Sequence, residues 1–305
     1  MSVLDVVEAE TEAGIPPVAA EAEQGYRKRK LGVLFWLSVA WLGLLLFSAV
    51  FANLLPLKDP TETFRGVSRT GPSAAHWFGA DNIGHDVFSR AIYGARRSLF
   101  VATVATMVGL LVGGTLGLIA GFYRRALDST IAAVFNIFLA IPALVFLLAL
   151  ITFLAPPGTS SPTTQTFWTT LTLSILTVPI NGRITRVQTM VWADRDFVMA
   201  SRTLGARNMR IMLREILPNV VPVLISYAFV IGSSLIIVEA VLAFFGVGDV
   251  SGVSWGLMIQ NGRSELERSP HMVLFPALFI FLTVLALNFI GDQVLARFAI
   301  REGGI

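Results

Sequence analysis

From Leu31 to Leu55 the chain carries no charged side chain and no proline. At about 1.5 Å of rise per residue, such a run covers the roughly 30 Å hydrocarbon core of a bilayer. Lipid offers the backbone no hydrogen-bond partner, so the run must fold as a helix. Further apolar stretches at about 98–122, 130–154, 165–190, 219–245 and 272–296 bring the candidate spans to six. The fourth is the least defined, because Pro179 interrupts it and Arg183 and Arg186 follow. Composition agrees with a bilayer as solvent: 54% of the residues are hydrophobic and only 14% charged, against about 25% charged in a soluble domain. The expected fold class is an all-α integral membrane protein with six transmembrane helices.

The same composition excludes several chemistries. There is no cysteine, so no disulfide. His76, His85 and His271 are far apart, read as loop or interfacial residues without acidic partners at ligand spacing, and no metal site is expected. The lysines are Lys28, Lys30 and Lys58, none in a phosphate-binding G-x-x-x-x-G-K-[ST] context, so the chain itself is not expected to hydrolyse ATP. No H-E-x-x-H occurs either. A net charge of +3 raises nucleic acid as a partner, but arginine-rich cytoplasmic loops account for it and no nucleic acid is expected.

Residues 1–30 form a polar tail with Asp5, Glu8, Glu10, Glu12, Glu21 and Glu23, ending in the basic cluster Arg27, Lys28, Arg29 and Lys30. Its length and acidity argue against a cleaved signal peptide, for which Val50-Phe51-Ala52 is the candidate site. Residues 31–97 are expected to hold the first span and an external segment. Residues 98–300 hold a five-helix core, and 301–305 a short tail. With the N-terminus in the cytoplasm, basic residues divide 15 inside to 8 outside, which favours cytoplasmic termini. Arg96 and Arg97 oppose that bias, so Val87–Arg97 is expected to be an amphipathic helix at the interface. In the second span Gly109, Gly113, Gly117 and Gly121 recur at every fourth position. They share one face where another helix can approach closely, either within the chain or across a subunit boundary.

The segment 194–219, "DRDFVMASRTLGARNMRIMLREILPN", joins spans four and five and reads as two short helices. The first, capped by Asp194, carries Phe197, Ala200 and Leu204 on one face, and Gly205 stops it. The second, capped by Asn208, carries Met209, Met212, Leu213 and Ile216 at helical spacing, and Pro218 ends it. Their apolar faces pack either on the chain's own spans or in a groove of a soluble partner. Inside the spans, Glu239 is expensive in lipid and must face protein or water. It is a candidate pathway residue or a buried hydrogen-bond partner, and Asn136 and Asn288 are read the same way.

This loop resembles the EAA loop of ABC-importer permeases, in which E-A-A is followed by a glycine and then Leu-Pro. Here Met199-Ala200-Ser201, Gly205 with Ala206, and Leu217-Pro218 take those places, with Met199 where Glu is usual and Glu215 where His is frequent. Phe78–Leu99, Leu127–Leu144, Val238–Gly248, Ser254–Arg263 and Phe275–Val294 resemble, in order, segments of the C-type dipeptide and oligopeptide permeases. Departures are His85 for Arg, and Ala133 and Asn136 for Arg and Asp. The resemblance implies a type I importer permease fold in a prokaryotic plasma membrane. Its implied partners are a B-type second permease, two ATPase subunits or one fused ATPase that bind ATP and Mg, and an extracytoplasmic binding protein that delivers peptides. It also implies that Phe197, Met199, Ala200, Ser201, Leu204, Gly205, Ala206, Met209, Met212, Leu213, Leu217 and Pro218 couple the chain to the ATPase. A secondary transporter would need more intramembrane ionisable residues than Glu239, and an intramembrane enzyme would need a catalytic constellation.

Overall fold

The computed structural model describes residues 32–156, 161–247 and 252–299. The N-terminal tail, its basic cluster and residues 301–305 lie outside them. In chain order the helices are α1 (Val33–Val50), α2 (Val87–Tyr123), α3 (Arg125–Ala140), α4 (Ala143–Leu154), α5 (Pro162–Ala193), α6 (Asp196–Thr203), α7 (Asn208–Phe244), α8 (Trp255–Gly262) and α9 (His271–Ala299). Among the described residues there is no β-strand, only an isolated bridge between Ala80 and Asp86. By length and composition α1, α2, α7 and α9 each suffice to cross a membrane, and α3 with α4 makes a bent fifth candidate. The fourth span expected from the sequence, about 165–190, corresponds to α5. It has 32 residues, about 48 Å at helical rise, but its composition is too polar to qualify alone.

That polarity is absorbed within the helix. Thr169, Thr170, Ser174, Thr185 and Thr189 each donate to the carbonyl four residues back, at 2.7–2.8 Å. Pro179 does not interrupt α5, which runs through it. Neighbouring helices make such a proline tolerable in a span.

Three boundaries differ from those the sequence suggests. Val87–Arg97 is not a separate interfacial helix; it is the first three turns of α2, capped by Asp86, whose side chain accepts from Ser89 N at 2.8 Å. The division at residue 97 therefore falls inside a helix. Arg96 instead caps the end of α1, with Nε 3.0 Å from Ala49 O and Nη2 3.0 Å from Val50 O. The expected span 130–154 breaks into α3 and α4, bent by 85°. Ile141 is extended (φ −79°, ψ 129°), as a residue before proline prefers, and Pro142 then starts the new direction.

The third difference lies at Pro218. The helix beginning at Asn208 does not end there but runs on to Phe244. A wider, π-type turn over Ile211–Ile216 precedes Leu217 and Pro218, so the proline stands in the first turn of the following α-helical stretch. A similar wide turn, Gly109–Gly113, lies within α2.

The main core gathers α1, α2, α4, α5, α7, α8 and α9 around Trp255, Leu173, Leu147, Ile236 and Leu242. Trp255 is fully buried and donates from Nε1 to Ala91 O at 2.8 Å. Trp41 of α1 reaches Thr283 of α9, Nε1 to Oγ1 at 3.2 Å. A second core, at the α6 end of the bundle, holds Leu118, Phe122, Ala193, Val198, Ile211, Met212, Ile216, Val220 and Leu224.

Candidate coupling surface and buried polar sites

The segment between α5 and α7 is a helix, a glycine turn and a second helix. Gly205 has φ +78°, and a Cβ there would meet no atom within 4 Å. Space would admit a side chain; the backbone conformation is what favours glycine. The caps differ from those expected. Asp194 terminates α5 and pairs with Arg124, Oδ2 to Nη2 at 2.7 Å. Arg195 and Arg207 occupy the N-cap positions without side-chain capping bonds, and Asn208 is already helical.

The twelve residues expected at this surface divide by burial. Phe197, Met199, Ala200, Leu204, Gly205, Met209, Leu213 and Pro218 are exposed; Ser201, Ala206 and Leu217 are half-buried. Met212 is turned inward, 5% exposed, and belongs to the second core rather than to an outer face. Val198, Ile211 and Ile216 are fully buried beside it and act as the internal anchor. Outside them Phe197 and Met199, to either side of Val198 on α6, and Leu204, Met209 and Leu213 stay exposed as a set of apolar side chains (the ridge), with Leu204 87% exposed. Both faces are apolar, so periodicity alone does not tell the anchor from the ridge. Arg202 lies over the Phe122 ring at 5.5 Å and ties α6 to α2.

Glu239 is buried, 3% exposed. Its Oε2 accepts from Ser98 Oγ of α2 at 2.9 Å, the Ser254 side chain also hydrogen-bonds to it, and Arg97 lies within electrostatic reach. It joins α7, α2 and the start of α8. Asn288 bridges α9 to α7, Nδ2 to Ser233 Oγ at 3.1 Å. Asn136 of α3 is exposed and accepts from Arg183 Nη2 of α5 at 2.6 Å. The four glycines all face α5. A Cβ added at Gly109, Gly113, Gly117 or Gly121 would come within 3.0 Å of Thr177, Val178, Gly182 or Arg186 respectively.

Two of the three histidines have acidic partners that sequence spacing did not suggest. His76 Nδ1 lies 2.8 Å from Asp86 Oδ1 and His85 Nδ1 lies 2.8 Å from Asp81 Oδ2. Arg90 joins the second pair, its Nη1 2.7 Å from His85 Nδ1 and 3.1 Å from Pro60 O. His271 reaches Ala80 O at 3.1 Å. These bonds fold the connection between α1 and α2 onto the starts of α2 and α9. Among the described residues no three metal-ligating side chains converge. The string Gly252-Val253-Ser254-Trp255-Gly256 has the G-x-S-x-G form of a hydrolase nucleophile turn. Ser254 is 1% exposed and caps α8 by accepting from Leu257 N at 3.3 Å, which is a structural task.

Residues 113–301 match the family model described as binding-protein-dependent transport system inner membrane component. The chain is 36% identical over 274 residues to a protein of Alkalihalophilus pseudofirmus named dipeptide transport system permease protein DppC, covering 89% of this chain and 86% of that one. It is 35% identical over 268 residues to the di/tripeptide transport system permease protein DppC of Pseudomonas aeruginosa, covering 86% and 84%. The glutathione transport system permease protein GsiD of Pectobacterium atrosepticum is 35% identical over 224 residues, covering 73% and 71%. In fold the chain resembles a chain of the MetNI methionine ABC transporter in an inward-facing form. The TM-score is 0.55 at 21% identity, over 72% of this chain and 98% of that one.

Proposed function

The chain belongs to the family of binding-protein-dependent transport system inner membrane components, and from that premise we propose that it is a membrane-spanning subunit of an ATP-driven importer of di- or oligopeptides. Its relatives are named for dipeptide, di/tripeptide and glutathione transport, and glutathione is itself a small peptide. In this reading α5 joins the other apolar helices as a sixth span, and both termini are cytoplasmic. A second permease subunit completes the route, an external binding protein delivers cargo, and ATP and Mg reside on two ATPase subunits or one fused pair. This chain supplies a pathway and a mechanical link rather than a bond-making site.

The observation that carries the coupling role is the apolar ridge Phe197, Met199, Leu204, Met209 and Leu213, backed by the buried anchor Val198, Ile211 and Ile216. Exposed apolar side chains on a pair of short helical segments outside the spans fit a groove in a partner. Glu239, tied to Ser98 and Ser254, acts here as a buried helix joint rather than as a lining residue, and Asn288 as a second joint. The test is to purify the complex through a tag on this chain with Leu204→Glu in place. The substitution sits on an 87% exposed side chain, so membrane insertion is expected to be normal while the ATPase is lost or its hydrolysis no longer follows cargo. A variant that keeps a normally stimulated ATPase removes the ridge from this role. A wild-type chain that brings down no ATPase overturns the reading as a whole.

A further inference from the structure

Beside the glycine seam, α5 opens with α3 onto a cavity of about 250 Å³ lined by Ala132, Phe135, Asn136, Arg183 and Arg186. Its two arginines stand in different electrostatic situations. Arg186 is held by Asp128 in a two-point pair, Nε on Oδ1 and Nη2 at 2.7 Å from Oδ2, so its charge is matched. Arg183 donates to Asn136 Oδ1 at 2.6 Å, and among the described residues no carboxylate pairs with it. A guanidinium carries five donors, so Arg183 keeps its charge and most of its hydrogen-bonding capacity. The same bond sets the orientation of the Asn136 amide, whose Nδ2 then offers further donors beside the guanidinium. Phe135 supplies an apolar wall. It is buried over Gly182, where an added Cβ would run into its ring. Arg183 and Asn136 are both exposed on the chain's own surface, yet a guanidinium against lipid tails is costly. Such a face belongs on water, on an anion or against the second permease subunit of the importer reading.

We propose that this cavity is an oxyanion subsite on the transport route and takes the C-terminal carboxylate of a peptide cargo. The proposal rests on the importer reading above. One unmatched cation suits one carboxylate, and the planar fork of arginine suits a planar two-oxygen group better than a point charge does. The apolar wall of Phe135 and Ala132 suits the side chain next to that carboxylate. Its volume fits the end of a peptide rather than a long chain. The phosphate of an anionic lipid headgroup offers the same chemistry from a second source.

The test reconstitutes the whole importer, with its binding protein, in liposomes. Uptake of trialanine is compared with uptake of trialanine amide for wild type, Arg183→Gln and Asn136→Ala. Taking each variant relative to wild type for each cargo cancels the binding protein's own preference. Arg183→Gln is expected to lower trialanine uptake about tenfold more than amide uptake, the scale of one hydrogen bond to a charged group. Asn136→Ala is expected to give a smaller selective loss. Copurification of the ATPase and the binding protein with each variant, and a monodisperse elution like that of wild type, show that the variants are assembled. The pattern is expected to be the same in phosphatidylcholine vesicles with or without phosphatidylglycerol. Equal losses for the two cargoes, or none, overturn the subsite. A loss that follows phosphatidylglycerol and ignores the cargo terminus moves the oxyanion to the lipid and overturns the cargo assignment. A wild-type complex with coupled hydrolysis of ATP that transports neither peptide overturns the importer-of-peptides reading and the subsite with it.

Discussion

The seam between α2 and α5 offers a matched pair of substitutions on adjacent residues. At Gly113 an added Cβ would lie within 3.0 Å of the Val178 carbonyl oxygen and 3.0 Å from Gly182 N, both backbone atoms that cannot rotate away. At Gly114 the nearest atom, Thr185 Oγ1, is 3.8 Å off, an ordinary contact. Gly113→Ala must therefore push α5 outward or bend α2, by a displacement on the order of 1 Å if packing is to return to normal contact distances. Overpacking of this kind costs about 1–3 kcal/mol, while alanine in place of a helical glycine returns about 0.5–1 kcal/mol. The net expectation is a loss of about 1–2 kcal/mol. The Thr177 Oγ1 to Ala105 O bond, 3.0 Å across the same seam, lengthens with it. Gly114→Ala collects only the helix-propensity gain and is expected to be neutral or up to about 1 kcal/mol more stable. Both proteins would be heated in detergent and the monodisperse fraction followed by size-exclusion chromatography. The midpoint is expected to fall for Gly113→Ala and to hold or rise for Gly114→Ala. Equal midpoints, or the reverse order, would refute the argument that backbone contact across this seam is what requires glycine.

Gly205→Val is expected to insert normally but to uncouple ATP hydrolysis from uptake. A β-branched residue at φ +78° costs on the order of 1–3 kcal/mol and turns α6 away from α7, whereas Gly205→Asn, which tolerates that conformation, keeps most coupling. Glu239→Gln is expected to preserve folded yield, since it retains an acceptor for Ser98 Oγ. Glu239→Leu removes that acceptor from a buried site and is expected to cost about 1–3 kcal/mol, read as a drop in thermal midpoint; equal midpoints would show that the joint has no weight. Single cysteines at Ser2, Ser73, Ser160 and Ser264 test the topology with an impermeant thiol reagent on intact cells. Positions 73, 160 and 264 are expected to label and position 2 to be protected, so the opposite pattern would sink the proposed orientation.

Some of this was readable in the sequence because local chemistry allowed one solution. A glycine between two short amphipathic stretches marks a turn, and Gly205 takes the positive φ such a turn needs. Four glycines at spacing four share a face, and here that face is pressed on α5. Other features required the third dimension. Met209 and Met212 both lie on apolar faces, one 59% exposed and one 5%, and only the position of Leu118 and Phe122 decides which is internal. Pro218 and Pro179 read as breaks by their missing N–H, but a wide turn before one and a close neighbouring helix beside the other let the helices continue. Pro142 carries the same signal and does bend the chain, by 85°. The pairing of His76 with Asp86 and of His85 with Asp81 depends on how the connection between α1 and α2 folds back, which no helical or strand period encodes.

The continuity of α7 changes how a signal at the ridge can travel. Had Pro218 ended a short docking helix, motion at Met209 would have had to pass through a flexible joint before reaching the bundle. Instead one helix runs from Asn208 to Phe244, about 55 Å at helical rise, with the wide turn over Ile211–Ile216 as its one irregular stretch. Its first turns carry Met209 and Leu213 on the ridge and Ile211 and Met212 in the second core, and near its far end lies Glu239, bonded to Ser98 of α2. The second core also holds Leu118 and Phe122 of α2, beside the glycine seam. In the proposed cycle a partner that shifts the ridge therefore loads α2 at two levels, through the core at one end and through Glu239 at the other. A coupled change of state requires that each ligand favour one arrangement of a shared element. Here α2 is the element both contacts share, and its seam with α5 is where the two arrangements would differ. The wide turns at Gly109–Gly113 of α2 and Ile211–Ile216 of α7 are the places where the two helices would bend in such a change.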